Sequence, residues 1–261
     1  MLEAAAFWIP HSVAEGRYRL LASDAACVGI PGRTAPMGGV TTGAAIEAME
    51  HATDCALVWS SAQFLRAAPV ETDFAIDVEV VGGSERRPQA RATLADEDGP
   101  IVIVSGALGP SSEREGGGHT FVSAPTVTAP LDCPLDAPSA SLASGGLFDQ
   151  LERRLAGRDE GAGTQSVWFR STAGHSFSAG LLAILADFVA GAHADTRGSV
   201  GLDNTLRIAA IPETEWVLAQ TRIAHIGARL FHGGMEMYSD AGALMAIASL
   251  SSVRPRRRTA E

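Results

Sequence analysis

Two rhythms of apolar and polar positions run along this chain, and they occur twice in the same order. Over residues 40–58 the apolar and small residues recur at helical spacing, through Ala44, Ala45, Ala48, Met49, Ala52 and Ala56. Small side chains dominate this stretch, which suits a central helix approached closely by a sheet. Strand-like runs follow at 60–66, 74–81, 88–94 and 101–108, with Asp96-Glu97-Asp98-Gly99 as a tight turn between the last two. An earlier strand is expected around Tyr18-Arg19-Leu20-Leu21. Residues 30–39, punctuated by Pro31, Gly32, Pro36, Gly38 and Gly39, read as a loop.

The second round repeats this plan. A strand at 166–171 precedes a helix at 176–194, with Ser176 or Ser178 as its N-cap. Strands follow at 200–208, 216–226, 229–238 and 243–253, and Ser239-Asp240-Ala241-Gly242 matches the earlier turn. Residues 109–163 break the composition: Gly116, Gly117 and Gly118, then Pro125, Pro130, Pro134 and Pro138, read as a linker laid extended over the surface. Within it, 146–155 is helical by local pattern and a strand by symmetry with the first round; both readings stay open.

The wording also repeats. Leu65-Arg66-Ala67-Ala68-Pro69-Val70-Glu71-Thr72 is echoed by Leu206-Arg207-Ile208-Ala209-Ala210-Ile211-Pro212-Glu213-Thr214. A repeat of roughly 140 residues is too long for a solenoid unit and has the length of a small domain. The expected organisation is an N-terminal unit at 1–109, a linker at 110–145 and a C-terminal unit at 146–261. Each unit is α+β, a helix followed by an antiparallel meander. Fusion of two such units makes inside one chain the interface that a homodimer makes between two, and function is expected there.

An apolar fraction of 46% indicates a folded chain with sizeable cores. A net charge of −10 argues against nucleic acid as a partner. The one basic cluster, Arg254, Arg256, Arg257 and Arg258, reads as a solvated end. Cys27, Cys55 and Cys133 are odd in number and lack metal-ligand spacing, so they read as reduced thiols of a cytoplasmic protein. Residues 1–8 do not form a signal peptide, and no stretch reaches the ~18 apolar residues of a membrane span. Neither a Gly-x-Ser-x-Gly elbow nor a Gly-rich nucleotide loop is present, and no cofactor is expected.

Several motifs, in order, resemble the acyl-CoA thioesterase II family, the double-hotdog thioesterases. Met37-Gly38-Gly39 resembles the opening of that family's first helix, and Ala62-Gln63-Phe64-Leu65-Arg66 its aromatic-Phe-Leu-Arg strand. Val167-Trp168-Phe169-Arg170 resembles its Val-Trp-Ile/Phe-Arg strand. Leu181-Leu182-Ala183-Ile184-Leu185-Ala186-Asp187-Phe188 resembles its second helix, acidic residue included, and Leu202-Asp203 the strand that follows. The resemblance spans residues 16–254. It implies a tandem double hotdog, each sheet curled around a helix, and an acyl-CoA substrate.

In such a fold a helix carboxylate acts as general base or orients water, and amides at a glycine-rich helix N-terminus polarise the carbonyl. Asp187, set among apolar residues, is the expected carboxylate, and desolvation there raises a carboxyl pKa. Gly38 and Gly39 are the expected donors. The family's Thr or Ser position falls on Gly201, its Gln position on about Leu250, and a His position on Ser61. Asn204 and Thr205, and Ser249, Ser251 and Ser252, lie next to those positions; Thr205 and Ser251 are carried as candidates. A second candidate centre is the polar side of the first helix, Glu47, Glu50, His51 and Asp54. There Glu50 lines up with Asp187 when Gly43 is set against Gly180, and Glu47 and His51 share a face. His193, His225 and His232 read as structural. The leading expectation is thioester hydrolysis. Its alternatives are a non-catalytic acyl-CoA or acyl-carrier binder, favoured by Gly201 and Leu250, and a hotdog hydratase, for which no Asp/His pair stands at the first helix. A homodimer of the double unit is also expected.

Overall fold

The computed structural model describes residues 6–69, 72–114 and 118–254. Its first half runs β1 (His11–Ala14), β2 (Arg17–Leu21), β3 (Cys27–Ile30), β4 (Arg33–Pro36), α1 (Gly38–Thr53), β5 (Ala56–Phe64), β6 (Asp73–Ser84), β7 (Arg87–Asp96) and β8 (Gly99–Gly109). The second runs α2 (Leu147–Gln150), β9 (Leu151–Asp159), β10 (Thr164–Ser171), α3 (Ala179–Ala186), β11 (Val200–Ile208), β12 (Val217–Ile226), β13 (Leu230–Ser239) and β14 (Leu244–Val253). The fold is the double hotdog expected.

One antiparallel sheet of 12 strands carries both halves, in the order β1-β2-β6-β7-β8-β5-β11-β14-β13-β12-β10-β9. Each strand of one half stands where its counterpart stands in the other, so the order is the same read from either end. The halves join at β5 and β11, where Ala62 pairs with Asn204, Ser61 with Thr205 and Ser60 with Leu206. A pseudo-twofold axis therefore passes through the Ser61–Thr205 pair. The first repeated phrase lies in the β5–β6 connection, with Val70 and Glu71 outside the described residues, whereas the second begins inside β11 at Leu206 and runs on into the β11–β12 connection.

Inside the curl, α1 and α3 cross antiparallel. A Cβ on Gly43 would stand 2.7 Å from the Gly180 carbonyl oxygen, so the backbones meet only because neither residue has a side chain. Helix α1 starts at Gly38 and stops at Thr53, short of the expected residue 58. Asp54 takes a left-handed φ of 51°, and the strand-favouring Leu57, Val58 and Trp59 already belong to β5. The expected loop at 30–39 contains the turn and second strand of the β3–β4 hairpin and the start of α1. In that hairpin Gly29 has φ 139°, and a Cβ would stand 2.2 Å from the Arg33 carbonyl oxygen.

Helix α3 is shorter than the 176–194 read from sequence. Ser178 caps it, its Oγ accepting the Leu181 N–H at 3.2 Å. After Ala186 the backbone tightens into 3₁₀ turns, Asp187–Ala192 and Ala194–Thr196. An eight-residue helix does not hold itself in water. Packing holds this one, since Leu181, Leu182, Ile184 and Leu185 are fully buried and each contributes about 1.5–3 kcal/mol. Residues 146–155 resolve into both readings, helix α2 and then strand β9.

The linker is anchored rather than loose over its second part. The Trp168 indole N–H donates to the Thr128 carbonyl at 3.0 Å, and Cys133 is buried against Trp168, Trp216, Leu218 and Tyr238. At the other end Arg254 donates to the carbonyls of Asp195 and Gly227. Arg256, Arg257 and Arg258 lie outside the described residues, as do residues 1–5, Gly116 and Gly117. No helix among the described residues is long and apolar enough to cross a membrane.

Candidate active site

The α1–α3 crossing brings one acid against one helix start. Asp187 is the C-cap of α3, and its Oδ2 accepts the Gly39 N–H at 2.9 Å. Gly39 lies in the first turn of α1, where amides lack intrahelical partners and the dipole favours negative charge. Asp187 retains some accessible surface, yet helix backbone and apolar side chains surround its carboxylate. Burial pushes its pKa up, and the Gly39 hydrogen bond only partly offsets this. A carboxylate so poised takes protons more readily than an ordinary Asp.

Glycine is what permits the approach. A Cβ on Gly39 would stand 2.9 Å from Ile184 Cα and 3.0 Å from Asp187 Cβ; one on Gly38 would stand 2.8 Å from the Phe64 ring and 3.3 Å from Asp187 Oδ2. The same ring lies 3.1 Å from where a Gly201 Cβ would be. Phe64 thus spans from Gly38 to Gly201 and fills the space between them.

Strand pleating sorts the remaining candidates. Leu250 is buried and faces inward, with an apolar side chain. Thr205 faces the outer side of the sheet, its Oγ1 within 2.7 Å of Ser249 Oγ. Ser251 also faces outward, its Oγ 3.1 Å from His232 Nδ1. The register therefore separates Thr205 and Ser251 from Asp187. The neighbour of Thr205, Asn204, is buried, and its Nδ2 has no partner among the described residues. Ser252, paired with Gly201 across the ladder, is likewise buried. Period-two alternation finds Ser252, in step with Ala248 and Leu250, but counted from Gly201 it misses Asn204, because a bulge between Gly201 and Asp203 shifts the phase of β11.

Glu50 is engaged in holding the fold. Its Oε1 accepts the Leu57 N–H at 2.6 Å and the Arg114 guanidinium, tying α1 to β5 and to the turn at Ser111–Arg114. Nor do Glu47 and His51 act as a pair. His51 Nδ1 meets the Tyr18 hydroxyl at 2.9 Å, while Glu47 Oε1 accepts from Ser178 Oγ at 2.6 Å. Gly43 and Gly180 are in contact rather than equivalent. The equivalent residues are the caps Met37 and Ser178, which set Gly39 beside Gly180.

An open cleft of about 770 Å³ lies at the other end of α3, lined by Glu152, Arg170, His175, Ser176, Glu215 and Asp240 among others. It does not include Asp187. Among the described residues no group of His, Cys, Asp or Glu could hold a metal ion.

The chain is similar to known proteins over nearly all of its length. The acyl-CoA thioesterase N-terminal domain matches residues 30–109, and the acyl-CoA thioesterase C-terminal domain matches residues 130–249. A proposed thioesterase from Novosphingobium aromaticivorans superposes with a TM-score of 0.88 at 25% identity, covering 96% of this chain and 100% of that one. A proposed thioesterase II from Thermobifida fusca gives 0.83 at 17% identity, covering 96% and 98%. An acyl-CoA thioesterase II from Mycobacterium marinum gives 0.73 at 14%, covering 95% and 96%. No curated protein sequence matches. Two family domains in tandem, on a sheet that joins them at β5 and β11, show that the chain belongs to the acyl-CoA thioesterase family.

Proposed function

We propose that the protein hydrolyses an acyl-CoA thioester at Asp187. The acyl chain lies between helix and sheet, against the aliphatic inner face. The thioester carbonyl lies at the start of α1, where the amide of Gly38 has no intrahelical partner. The Gly39 N–H holds the carboxylate in place. Water attacks the carbonyl carbon and passes its proton to Asp187. The C–S bond then breaks, the thiolate takes up the proton, and free acid and CoA leave. The observation carrying this reading is the buried carboxylate of Asp187, its pKa raised, fixed against the first turn of the opposite helix.

Asn204 is our candidate for holding the water or the carbonyl, since it is the buried polar group of the β5–β11 seam whose amide lacks a partner. The test is free-thiol release from short, medium and long acyl-CoAs, with Asp187→Asn beside the wild type. Turnover lost in the variant alone supports the reading; turnover unchanged in it removes Asp187 from the chemistry.

A second reading is a binder that holds acyl-CoA, or an acyl group on a carrier, without cleaving it. It is favoured by the apolar Gly201 and Leu250 and by the Phe64 ring between Gly38 and Gly201. Binding of acyl-CoA with no thiol release would select it.

A further inference from the structure

Two buried polar side chains lie where the first helix passes under the seam, and neither finds a partner among the described residues. One is Asn204 on β11. The other is Thr42 on α1, only 2% exposed, whose Oγ1 forms no hydrogen bond with any described group. Its neighbour Thr41 bonds back to the helix, donating to the Gly38 carbonyl at 2.9 Å, as helix threonines do. Thr42 does not. A buried polar group left unpaired costs stability, and the rest of this side of α1 is apolar: Ala45, Ile46 and Met49 are fully buried.

Helix and strand spacing set Thr42 against Asn204. A Cβ on Gly38 would stand 2.8 Å from the Phe64 ring and 3.3 Å from Asp187 Oδ2. At about 100° per residue, Thr42 lies about 40° round α1 from Gly38. That places it between Gly38 and Gly39, which both abut Asp187. Thr42 therefore points to the same side, one turn or about 6 Å further along the axis. Strand β5 lies antiparallel along α1, with Phe64 at Gly38 and Leu57 at Glu50. Two strand residues span about 6.6 Å, so Ala62, on the same face as Phe64, comes level with Thr42. Ala62 pairs with Asn204 across the seam, and both face inward. The hydroxyl and the amide thus stand at one level. The Cβ of a helix residue tilts toward the helix N-terminus, which carries the Thr42 hydroxyl back toward Asp187.

We propose that Thr42 is a catalytic residue: with Asn204 it holds the water that attacks the thioester, in front of Asp187. This rests on the reading of Asp187 as the base. A water has two protons and two lone pairs. Asn204 Nδ2 donates to one lone pair, and the two protons go to Thr42 Oγ1 and to Asp187. The remaining lone pair faces the carbonyl carbon, and a water held at three points cannot turn away from it. The water oxygen forms the new C–O bond, its proton passes to Asp187, and the C–S bond breaks. The thiolate then recovers the proton. Gly201 and Leu250 offer no polar side chain, so Thr42 supplies the hydroxyl of the site and Asn204 its amide.

The test measures thiol release and urea unfolding, with whichever of butyryl-, hexanoyl- and palmitoyl-CoA the wild type cleaves fastest. The variants are Thr42→Val, Thr42→Ser, Asn204→Ala, the double variant Thr42→Val with Asn204→Ala, and Asp187→Asn. Valine keeps the shape of threonine and removes the hydroxyl. Thr42→Val is expected to lower kcat about tenfold or more, with KM nearly unchanged and no fall in the urea midpoint. Thr42→Ser, which keeps the hydroxyl, retains most of the turnover. Because both groups hold one water, the double variant loses less than the product of the single losses. Wild-type kcat in Thr42→Val overturns the proposal. So does a loss that Thr42→Ser shares, or one that comes only with a lowered urea midpoint, the mark of a hydroxyl that serves folding. Single losses that multiply put the two groups on different atoms and also overturn it. In each of these cases an inactive Asp187→Asn leaves the Asp187 reading standing. An active Asp187→Asn, or a wild type that releases no thiol, removes both.

Discussion

Replacing Gly39 with alanine adds one methyl group at the tightest point of the helix crossing. That methyl would stand 2.9 Å from Ile184 Cα, 3.0 Å from the Ala183 carbonyl oxygen and 3.0 Å from Asp187 Cβ. Two of these neighbours are backbone atoms, so no side chain can swing away. The helices must part by several tenths of an ångström, and the 2.9 Å bond from the Gly39 N–H to Asp187 lengthens with them. Overpacking of this kind costs about 1–3 kcal/mol, and a weakened hydrogen bond to a charged group adds about 1.5–3 kcal/mol at most. A net loss near 3 kcal/mol lowers Tm by about 6–12 °C for a chain of this size. On activity, a displaced carboxylate at an oxyanion site costs on the order of 100-fold in kcat. Thermal melting and thiol release, the latter well below the melting range, measure the two separately. Gly82→Ala is the control, because a Cβ there meets nothing within 4 Å. Wild-type kcat in Gly39→Ala would refute the assignment of α1's first turn to the chemistry.

Asp187→Asn is expected to stabilise the protein near neutral pH. Burial places the folded-state pKa of Asp187 above the unfolded value, so between the two the folded state binds more protons and stability falls as pH rises. The cost is absent below about pH 3.9 and complete above the raised pKa, at about 1.4 kcal/mol for each pH unit separating the two. Urea unfolding of both forms across pH reads the difference, and a gap that does not grow with pH rejects the account. Asn204→Ala is expected to lower kcat/KM about tenfold or more while Thr205→Val leaves it unchanged; the opposite order would return Thr205 to the site. Glu50→Gln weakens the tie to Arg114 and Leu57. It is expected to cost about 1–3 kcal/mol in stability with kcat/KM intact, and a selective loss of turnover would move the active site along α1.

The strands were legible because their apolar positions alternate in a period that helices do not share, and the duplication supplied a second copy of each. Helix ends were less so. Phe188 and Val189 continue the apolar run of Leu181–Ala186, and hydrophobic pattern does not distinguish an α-turn from a 3₁₀ turn. Asp187 was singled out by the resemblance of its helix together with its apolar setting, but its bond to Gly39, which joins positions 148 residues apart, was not legible. The choice between Thr205 and Asn204 depended on one bulged residue in β11, and a single-residue slip reverses every side chain after it. The approach of Glu47 to Gly180 was masked by setting Gly43 against Gly180. That alignment matches glycines that touch, whereas the caps Met37 and Ser178 give the symmetry.

The β5–β11 seam also changes what a mutation can do. In a dimer of identical chains, every substitution strikes both copies of a site, and dilution takes the copies apart. Here the two halves are covalently joined, so their encounter does not depend on concentration, and each substitution is written only once. The seam can therefore keep its register while one corner carries Asp187 over Gly39 and the other Glu47 over Gly180. Two unlike acids, one step apart in side-chain length, are something a symmetric pair of chains could not encode.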